Sequence, residues 1–276
     1  MTSFEKNELI SVIMGVKYTR ADTGLLERAV GSILRQTHTE LEFIICERGS
    51  VNKAKEYLRR ISAEDGRVKL IDGSAAGSLS AQLNLCLTRA RGNWIARMDD
   101  DDFSHPDRLE KQLRFLKEHK DVAFVGSCVE FEQDGAHIGM GVFPPFPQPK
   151  DFLFSQPFIH PAVMFRAEAL KAVSGYSELS RCRRCEDFDL FMRLYNNGFR
   201  GANMQDILFD YTLPPHGVTT RNLKDRTNEM KTRFACFKEC GMLPKALPYV
   251  VKPIFVWLIP PKVLAKLKRK RNIKNG

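Results

Sequence analysis

One stretch constrains this chain more than any other: Asn93–Arg108, Asn-Trp-Ile-Ala-Arg-Met-Asp-Asp-Asp-Asp-Phe-Ser-His-Pro-Asp-Arg. Trp94, Ile95, Ala96 and Met98 form a short apolar run that reads as a buried strand. Four aspartates, Asp99 to Asp102, follow at its C-terminal end. Ser104 and Asp107 then make an S-x-x-D start signal, with Pro106 pre-set for a first turn. Leu109, Leu113 and Leu116 recur at i, i+4 and i+7, so a helix follows. Four adjacent carboxylates repel one another unless a cation or hydrogen-bond donors offset them. Oxygen ligands without a neighbouring His or Cys set favour a hard divalent ion, Mn²⁺ or Mg²⁺, over zinc. In open α/β sheets, ligands bind beyond the C-terminal strand ends. The competing reading is a solvated acidic loop ahead of the helix.

The rest of the chain repeats this alternation. Leu9–Met14, Glu42–Cys46 and Val68–Ile71 read as strands. Asp22 is expected to cap a helix running to Gln36. Lys53–Ser62 and Ser80–Ala90 read as further helices. Strands alternating with helices imply βαβ units and a mostly parallel sheet covered on both faces. After Lys120 the pattern changes. Val122–Phe131 and Ala136–Val142 flank Asp134-Gly135, a hairpin signal. Phe158–Phe165, with His160-Pro161 inside it, reads as an edge strand because proline cannot donate to a ladder. Glu186–Asn197 is a helix ended by Gly198, Ile207–Leu213 a last strand, and Asn222–Cys240 a helix.

The helix at 186–197 holds a second constellation. Asp187, Leu190, Phe191 and Leu194 share a face, whereas Glu186 and Asp189 point elsewhere and Asp189 pairs with Arg193. A carboxylate on an apolar face is costly unless paired or used, and burial raises its pKa toward that of a general base. An acidic first turn complementing the helix dipole explains Glu186 well and Asp187 less well.

At 276 residues the chain can bury one large core. No run reaches the ~18–20 apolar residues of a membrane span, and the acidic start is not expected to act as a signal peptide. The seven cysteines read as free thiols in a reducing cytosol. The net charge of +10 is concentrated at one end: residues 241–276 hold nine Lys and Arg and no acid. The other 240 residues carry 34 basic and 33 acidic side chains. That balance argues against a nucleic-acid platform. It leaves a basic amphipathic tail at 249–271 as an expected contact with an anionic membrane.

Taken together, the ordered segments resemble the family 2 glycosyltransferases, an inverting family with the GT-A fold. The likeness covers residues 9–220. It rests on Ser11-Val12-Ile13-Met14, Ser32-Ile33-Leu34-Arg35-Gln36-Thr37, Glu42-Phe43-Ile44-Ile45 and Ile95-Ala96-Arg97-Met98-Asp99-Asp100-Asp101-Asp102. Pro106-Asp107-Arg108-Leu109, His160-Pro161 and Glu186-Asp187-Phe188-Asp189-Leu190 continue it. The form Ala-Arg-Met-Asp-x-Asp-Asp is similar to a bacterial branch that builds O-antigen and capsule.

The resemblance implies an α/β, Rossmann-like, mostly parallel sheet over residues 1–220; the helical and basic extension at 221–276 is read from the residues alone. It makes Asp101 and Asp99 the metal ligands. It sets Asp100, Glu47 and Val16 against a nucleotide-sugar donor, a UDP-sugar. It makes Asp187 the catalytic base and puts Glu186 and His160 on the acceptor side, facing a glycan or lipid-linked glycan. The basic tail, rather than the resemblance, is what is expected to hold the chain on the cytoplasmic face of a membrane, where a lipid-linked acceptor would sit.

Three departures stand out. Glu47-Arg48-Gly49-Ser50 replaces the usual Asp-Asp-Gly-Ser, whose Asp contacts uracil. Gly15-Val16-Lys17-Tyr18 replaces a proline and Tyr-Asn. Tyr211-Thr212-Leu213-Pro214 replaces Tyr-Arg-x-His, with His216 displaced, so His216 receives no diphosphate role. Three rivals are weighed against this reading. A D-x-D phosphatase would carry the motif at the start of the chain. A nucleotidyltransferase of related fold would need a glycine-rich basic loop after the first strand. A non-enzymatic basic binding module would need more than the tail.

Overall fold

The computed structural model describes residues 8–214 and 221–259. Among the described residues nine strands form one sheet: β1 (Ile10–Val16), β2 (Leu41–Glu47), β3 (Val68–Asp72), β4 (Trp94–Arg97), β5 (Phe103–Ser104), β6 (Phe124–Gln133), β7 (Ala136–Gly141), β8 (Met164–Arg166) and β9 (Gly201–Thr212). Their order is β3-β2-β1-β4-β8-β6-β9-β5, with β7 paired to β6. β3, β2, β1 and β4 run parallel, and β8 is antiparallel to both β4 and β6.

The helices are α1 (Gly24–Leu34), α2 (Asn52–Glu64), α3 (Leu79–Arg89), α4 (Arg108–Glu118), α5 (Ala167–Ala172), α6 (Glu186–Asn196), α7 (Leu223–Glu239) and α8 (Leu247–Trp257). All seven residues of β1 are buried. Ile10, Val12, Met14 and Val16 face one core with Leu26, Val30 and Leu113, while Ile13 joins Leu83, Phe165 and Phe191 on the other. This two-sided burial is why the strands read as continuous apolar runs.

The expected hairpin is present, with Asp134 and Gly135 at positive φ of 51° and 78°, the backbone of a type I′ turn. Three expectations are corrected. Phe158–Phe165 is not an edge strand. His160–Ala162 is a short 3₁₀ turn, and β8 sits inside the sheet between β4 and β6. The proline is tolerated because it lies in the turn before the strand.

Ser104 does not cap α4 either. It belongs to β5, and Gln36 from the end of α1 takes over the role. The Gln36 Oε1 accepts from Leu109 N at 3.0 Å, and its Nε2 donates to Ser104 Oγ and His105 O. At the far end, the apolar run at 249–259 is broken in sequence by Lys252 and Pro253, yet α8 continues through both, and no helix was expected there. Residues 260–271 of the expected membrane segment lie outside the described residues, as does His216.

Candidate active site

β1, β2 and β4 are parallel neighbours, so Val16, Glu47 and Met98-Asp99 emerge together at the C-terminal edge of the sheet. β1 lies where the chain order reverses, the usual position of a ligand crevice. The first wall of that crevice is the loop after β2. Glu47 Oε1 accepts from Ser50 N at 2.7 Å, and Arg48 N donates to Val16 O at 2.9 Å. The Arg48 guanidinium donates to Ala76 O, drawing in the loop after β3. Gly73 permits this approach, since a Cβ there would meet Cys46 Sγ at 2.7 Å and Glu47 O at 2.8 Å.

The four aspartates have distinct environments. Asp99 pairs with the fully buried Arg97, and Asp101 with Arg20 at 3.4 Å. Asp102 is 1% exposed. Its Oδ1 accepts from Thr212 N at 2.7 Å, while its Oδ2 is buried without a hydrogen bond. Burial, then the charges of Asp99 and Asp101, pushes the Asp100 carboxyl up to about 7. Burial and Asp99 push Asp101 to about 6, and Asp102 is raised by burial and the same neighbours.

This is the electrostatic state of an anionic cluster short of positive charge, and its oxygen donors suit a hard divalent cation. Among the described residues, no three His, Cys, Asp or Glu side chains converge into a ready-made cage. The residues therefore fit a cation held by one or two carboxylates together with the phosphates of a ligand, the usual manner of Mg²⁺.

The scaffold under the cluster is built by two buried arginines. Arg108 Nη1 donates to Pro161 O at 3.0 Å and its Nη2 to Arg97 O at 3.1 Å. Its guanidinium lies 5.1 Å from the Phe209 ring centroid. Burial pushes the Arg108 pKa down to about 9. Arg108 thus ties the end of β4 to the His160-Pro161 turn.

α6 corrects the facial reading. Asp189, expected to point outward, is 1% exposed; it pairs with Arg193 at 2.6 Å as expected and also lies 3.8 Å from Arg181. Phe188, Leu190, Phe191, Met192 and Leu194 are buried too. The helix lies between the sheet and α7, so it has no single polar face from which to infer direction.

Asp187 is half-buried. Its Oδ2 accepts from Gln156 Nε2 at 2.9 Å and its Oδ1 from Phe188 N at 2.7 Å. Glu186, also half-buried, has a carboxyl pushed up to about 7 by burial and by the Asp187 charge. His160, placed on the acceptor side by the sequence, is instead a core residue. It is 7% exposed and hydrogen-bonded to Tyr176 OH at 2.9 Å, and burial, then Arg97, lowers its pKa.

The two carboxylate groups converge on shared neighbours. The Tyr211 hydroxyl feels Asp102, Asp99, Asp101 and Asp187, and the Tyr176 hydroxyl feels Asp99, Asp187 and Glu186. Burial raises the pKa of both tyrosines first, and these charges raise them further. The strand end and the start of α6 therefore lie within electrostatic range of the same two tyrosines. Sequence reasoning missed Arg97, Arg108, Thr212 and Gln156 as contributors. Arg97 and Arg108 were legible as charges inside apolar motifs, but Gln156 carried no signal.

The description "Glycosyl transferase family 2" matches residues 11–173. The chain is 34% identical over 277 residues to EpsE of Bacillus subtilis, to which a glycosyltransferase activity is ascribed, covering 97% of this chain and 96% of that one. It is 31% identical over 222 residues to the O-antigen biosynthesis glycosyltransferase WbnJ of Escherichia coli, covering 78% and 82%.

Among solved structures, S. aureus TarS (residues 1–349) in complex with UDP-GlcNAc superposes with a TM-score of 0.66 at 16% identity, covering 87% of this chain and 72% of that one. The mannosyltransferase PcManGT of Pyrobaculum calidifontis, in complex with GDP-Man and Mn²⁺, gives 0.62 at 16%, covering 96% and 80%. With its sheet order, its crevice and these similarities together, the chain belongs to the family 2 glycosyltransferases and has the GT-A fold.

Proposed function

We propose that the protein transfers a sugar from a UDP-sugar to a hydroxyl of a cell-surface glycan, with inversion at the anomeric carbon and with a divalent cation. The observation that carries this reading is the emergence of the Asp99–Asp102 run at the C-terminal edge of the parallel strands, beside Val16 and Glu47, in a chain of the family 2 glycosyltransferases. Asp99 and Asp101 would hold Mn²⁺ or Mg²⁺, which when bound neutralises charge developing on the leaving diphosphate. Asp100, Val16 and Glu47 would border the nucleoside, Glu47 accepting from the uracil N–H. Asp187 takes the proton from the acceptor hydroxyl, with Glu186 beside it. TarS in complex with UDP-GlcNAc and PcManGT in complex with Mn²⁺ support the donor class and the cation; WbnJ supports an O-antigen-like product.

UDP with Mn²⁺ is expected to raise the melting temperature, and GDP with Mn²⁺ is not. At a hundredfold excess over Kd the gain is ~2.7 kcal/mol, a shift of several degrees. The reverse order would move the donor to a GDP-sugar and remove Glu47 from the site. A screen of UDP-GlcNAc, UDP-glucose, UDP-galactose and GDP-mannose with mass detection of product tests the transfer itself.

We also place the enzyme at the cytoplasmic face of an anionic membrane, where a lipid-linked acceptor would lie. No helix among the described residues is long and apolar enough to cross a membrane. On α8, Leu247, Val251, Phe255 and Leu258 are exposed at near-helical spacing, with Trp257 beside them. The basic residues of 260–271 follow, each contributing ~1 kcal/mol near an anionic surface.

Ala246 and Val250 bury α8 against the core, so a truncation belongs after Ile259 rather than before the helix. Full-length protein is expected to float with anionic vesicles at low salt. The truncated protein should not float, yet should retain protection by UDP. Failure of the full-length protein to float would leave the tail merely solvated.

A further inference from the structure

The loop between β7 and β8 approaches the start of α6 at one side chain. Gln156 Nε2 donates to Asp187 Oδ2 at 2.9 Å and to Phe158 O at 3.1 Å. The loop around it is pinned from several directions. Asn203 Nδ2 donates to Pro144 O and Pro157 O at 3.0 and 2.9 Å. Tyr195 OH donates to Pro147 O at 2.7 Å, and Arg233 Nη1 to Leu153 O at 3.1 Å. Phe152 and Phe158, on either side of Gln156, are buried. Gln156 also lines a cavity of about 340 Å³ with Val142, Phe143 and Phe154. It therefore forms the boundary between that cavity and the Asp187 carboxylate.

We propose that Gln156 is a positioning residue for sugar transfer: its amide fixes the Asp187 carboxylate so that an oxygen faces the acceptor hydroxyl. The inference rests on Asp187 being the base. Phe188 N holds Oδ1 from the helix side and Gln156 Nε2 holds Oδ2 from the loop side, so rotation about the carboxylate bond is blocked at both oxygens. An N–H aimed at a carboxylate stabilises its ionised, proton-accepting form. Each oxygen keeps lone pairs free for the acceptor. Because the loop is anchored through Asn203, Tyr195 and Arg233, loss of this amide leaves the loop in place and releases only the carboxylate and the Phe158 carbonyl.

The test compares Gln156→Ala, Gln156→Glu and Asp187→Asn. The probe is UDP or GDP release, with water as acceptor, from whichever of UDP-GlcNAc, UDP-glucose, UDP-galactose and GDP-mannose the wild type cleaves fastest. Gln156→Ala is expected to lower kcat by about tenfold to a hundredfold, the range for losing a hydrogen bond to a charged group. Donor KM and melting temperature should stay at wild-type values. Gln156→Glu is nearly isosteric, but its carboxyl donates only when protonated, so its activity relative to wild type should recover as pH falls.

Unchanged kcat in Gln156→Ala overturns the proposal. So does a loss of kcat that follows a loss of melting temperature, with no recovery of Gln156→Glu at low pH. If Asp187→Asn turns over at the wild-type rate, the base assignment itself has failed, and this result is separate from those of the Gln156 variants.

Discussion

Asp187→Asn is expected to keep donor binding and to lose transfer by ~10²–10⁴-fold, the usual cost of losing a general base. The amide oxygen can still accept from Phe188 N, so the first turn of α6 should survive. The new NH₂ faces Gln156 Nε2, a donor opposite a donor, so a modest fall in melting temperature is expected. Protection by UDP and Mn²⁺ should match wild type.

Glu186→Gln separates the two adjacent carboxylates. Burial, then Asp187, has raised the Glu186 carboxyl to about 7 from an ordinary value of 4.5. An acid raised on folding disfavours the folded state once it ionises. That penalty is absent below pH 4.5 and complete above pH 7. Glu186→Gln should therefore raise the melting temperature at pH 8 relative to wild type and leave it unchanged at pH 4. Its transfer rate should fall far less than that of Asp187→Asn. Equal losses in the two variants, or a larger one in Glu186→Gln, would move the base role to Glu186.

How much of this was legible in the sequence differs between strands, helices and site. β1, β2 and β4 were readable because strands buried on both faces show as apolar runs whatever they pair with. The hairpin at Asp134-Gly135 was readable because its backbone needs residues that tolerate positive φ. β8 was misplaced because Pro161 carries the local signal of an edge, whereas the sheet position is set by β6 and β4, distant in sequence. Asp189 was misdirected because α7 covers the side of α6 that periodicity leaves for solvent.

The same logic applies to caps. Ser104 and Asp107 had the right spacing for a capping box. However, Gln36, 73 residues away, supplies the acceptor that Leu109 N requires. Carboxylates announce themselves by residue type, so Asp99, Asp101 and Asp187 could be chosen from sequence. The groups that tune them could not. Arg97 and Arg108 showed only as charges inside apolar motifs, with no sign of their partners, and Thr212 and Gln156 reach the carboxylates through pairings of strands and loops that no local pattern encodes.

Asp101→Ala is expected to abolish metal-dependent transfer while the fold persists. Asp101 is partly exposed, and its ion pair with Arg20 at 3.4 Å is an exposed one worth little to stability. Its removal takes a negative charge away from Asp100 and Asp102, both of which Asp101 pushes up. Without metal, the melting temperature at pH 8 should therefore equal or exceed that of wild type.

Asp102→Ala should behave in the opposite way at pH 4, where the raised Asp102 carboxyl is protonated in the folded protein and the variant loses only the acceptor of Thr212 N at the end of β9, a cost of ~1–3 kcal/mol. The two aspartates, adjacent in sequence, thus separate a ligand from a structural brace by the sign of the stability change. For transfer, the criterion is the rate at saturating Mn²⁺. Retention of more than about a tenth of the wild-type rate corresponds to only ~1.4 kcal/mol of barrier. A carboxylate bound directly to the cation should account for more than that, so such a residual rate would remove Asp101 from the metal site and leave Asp99 as the ligand to test next.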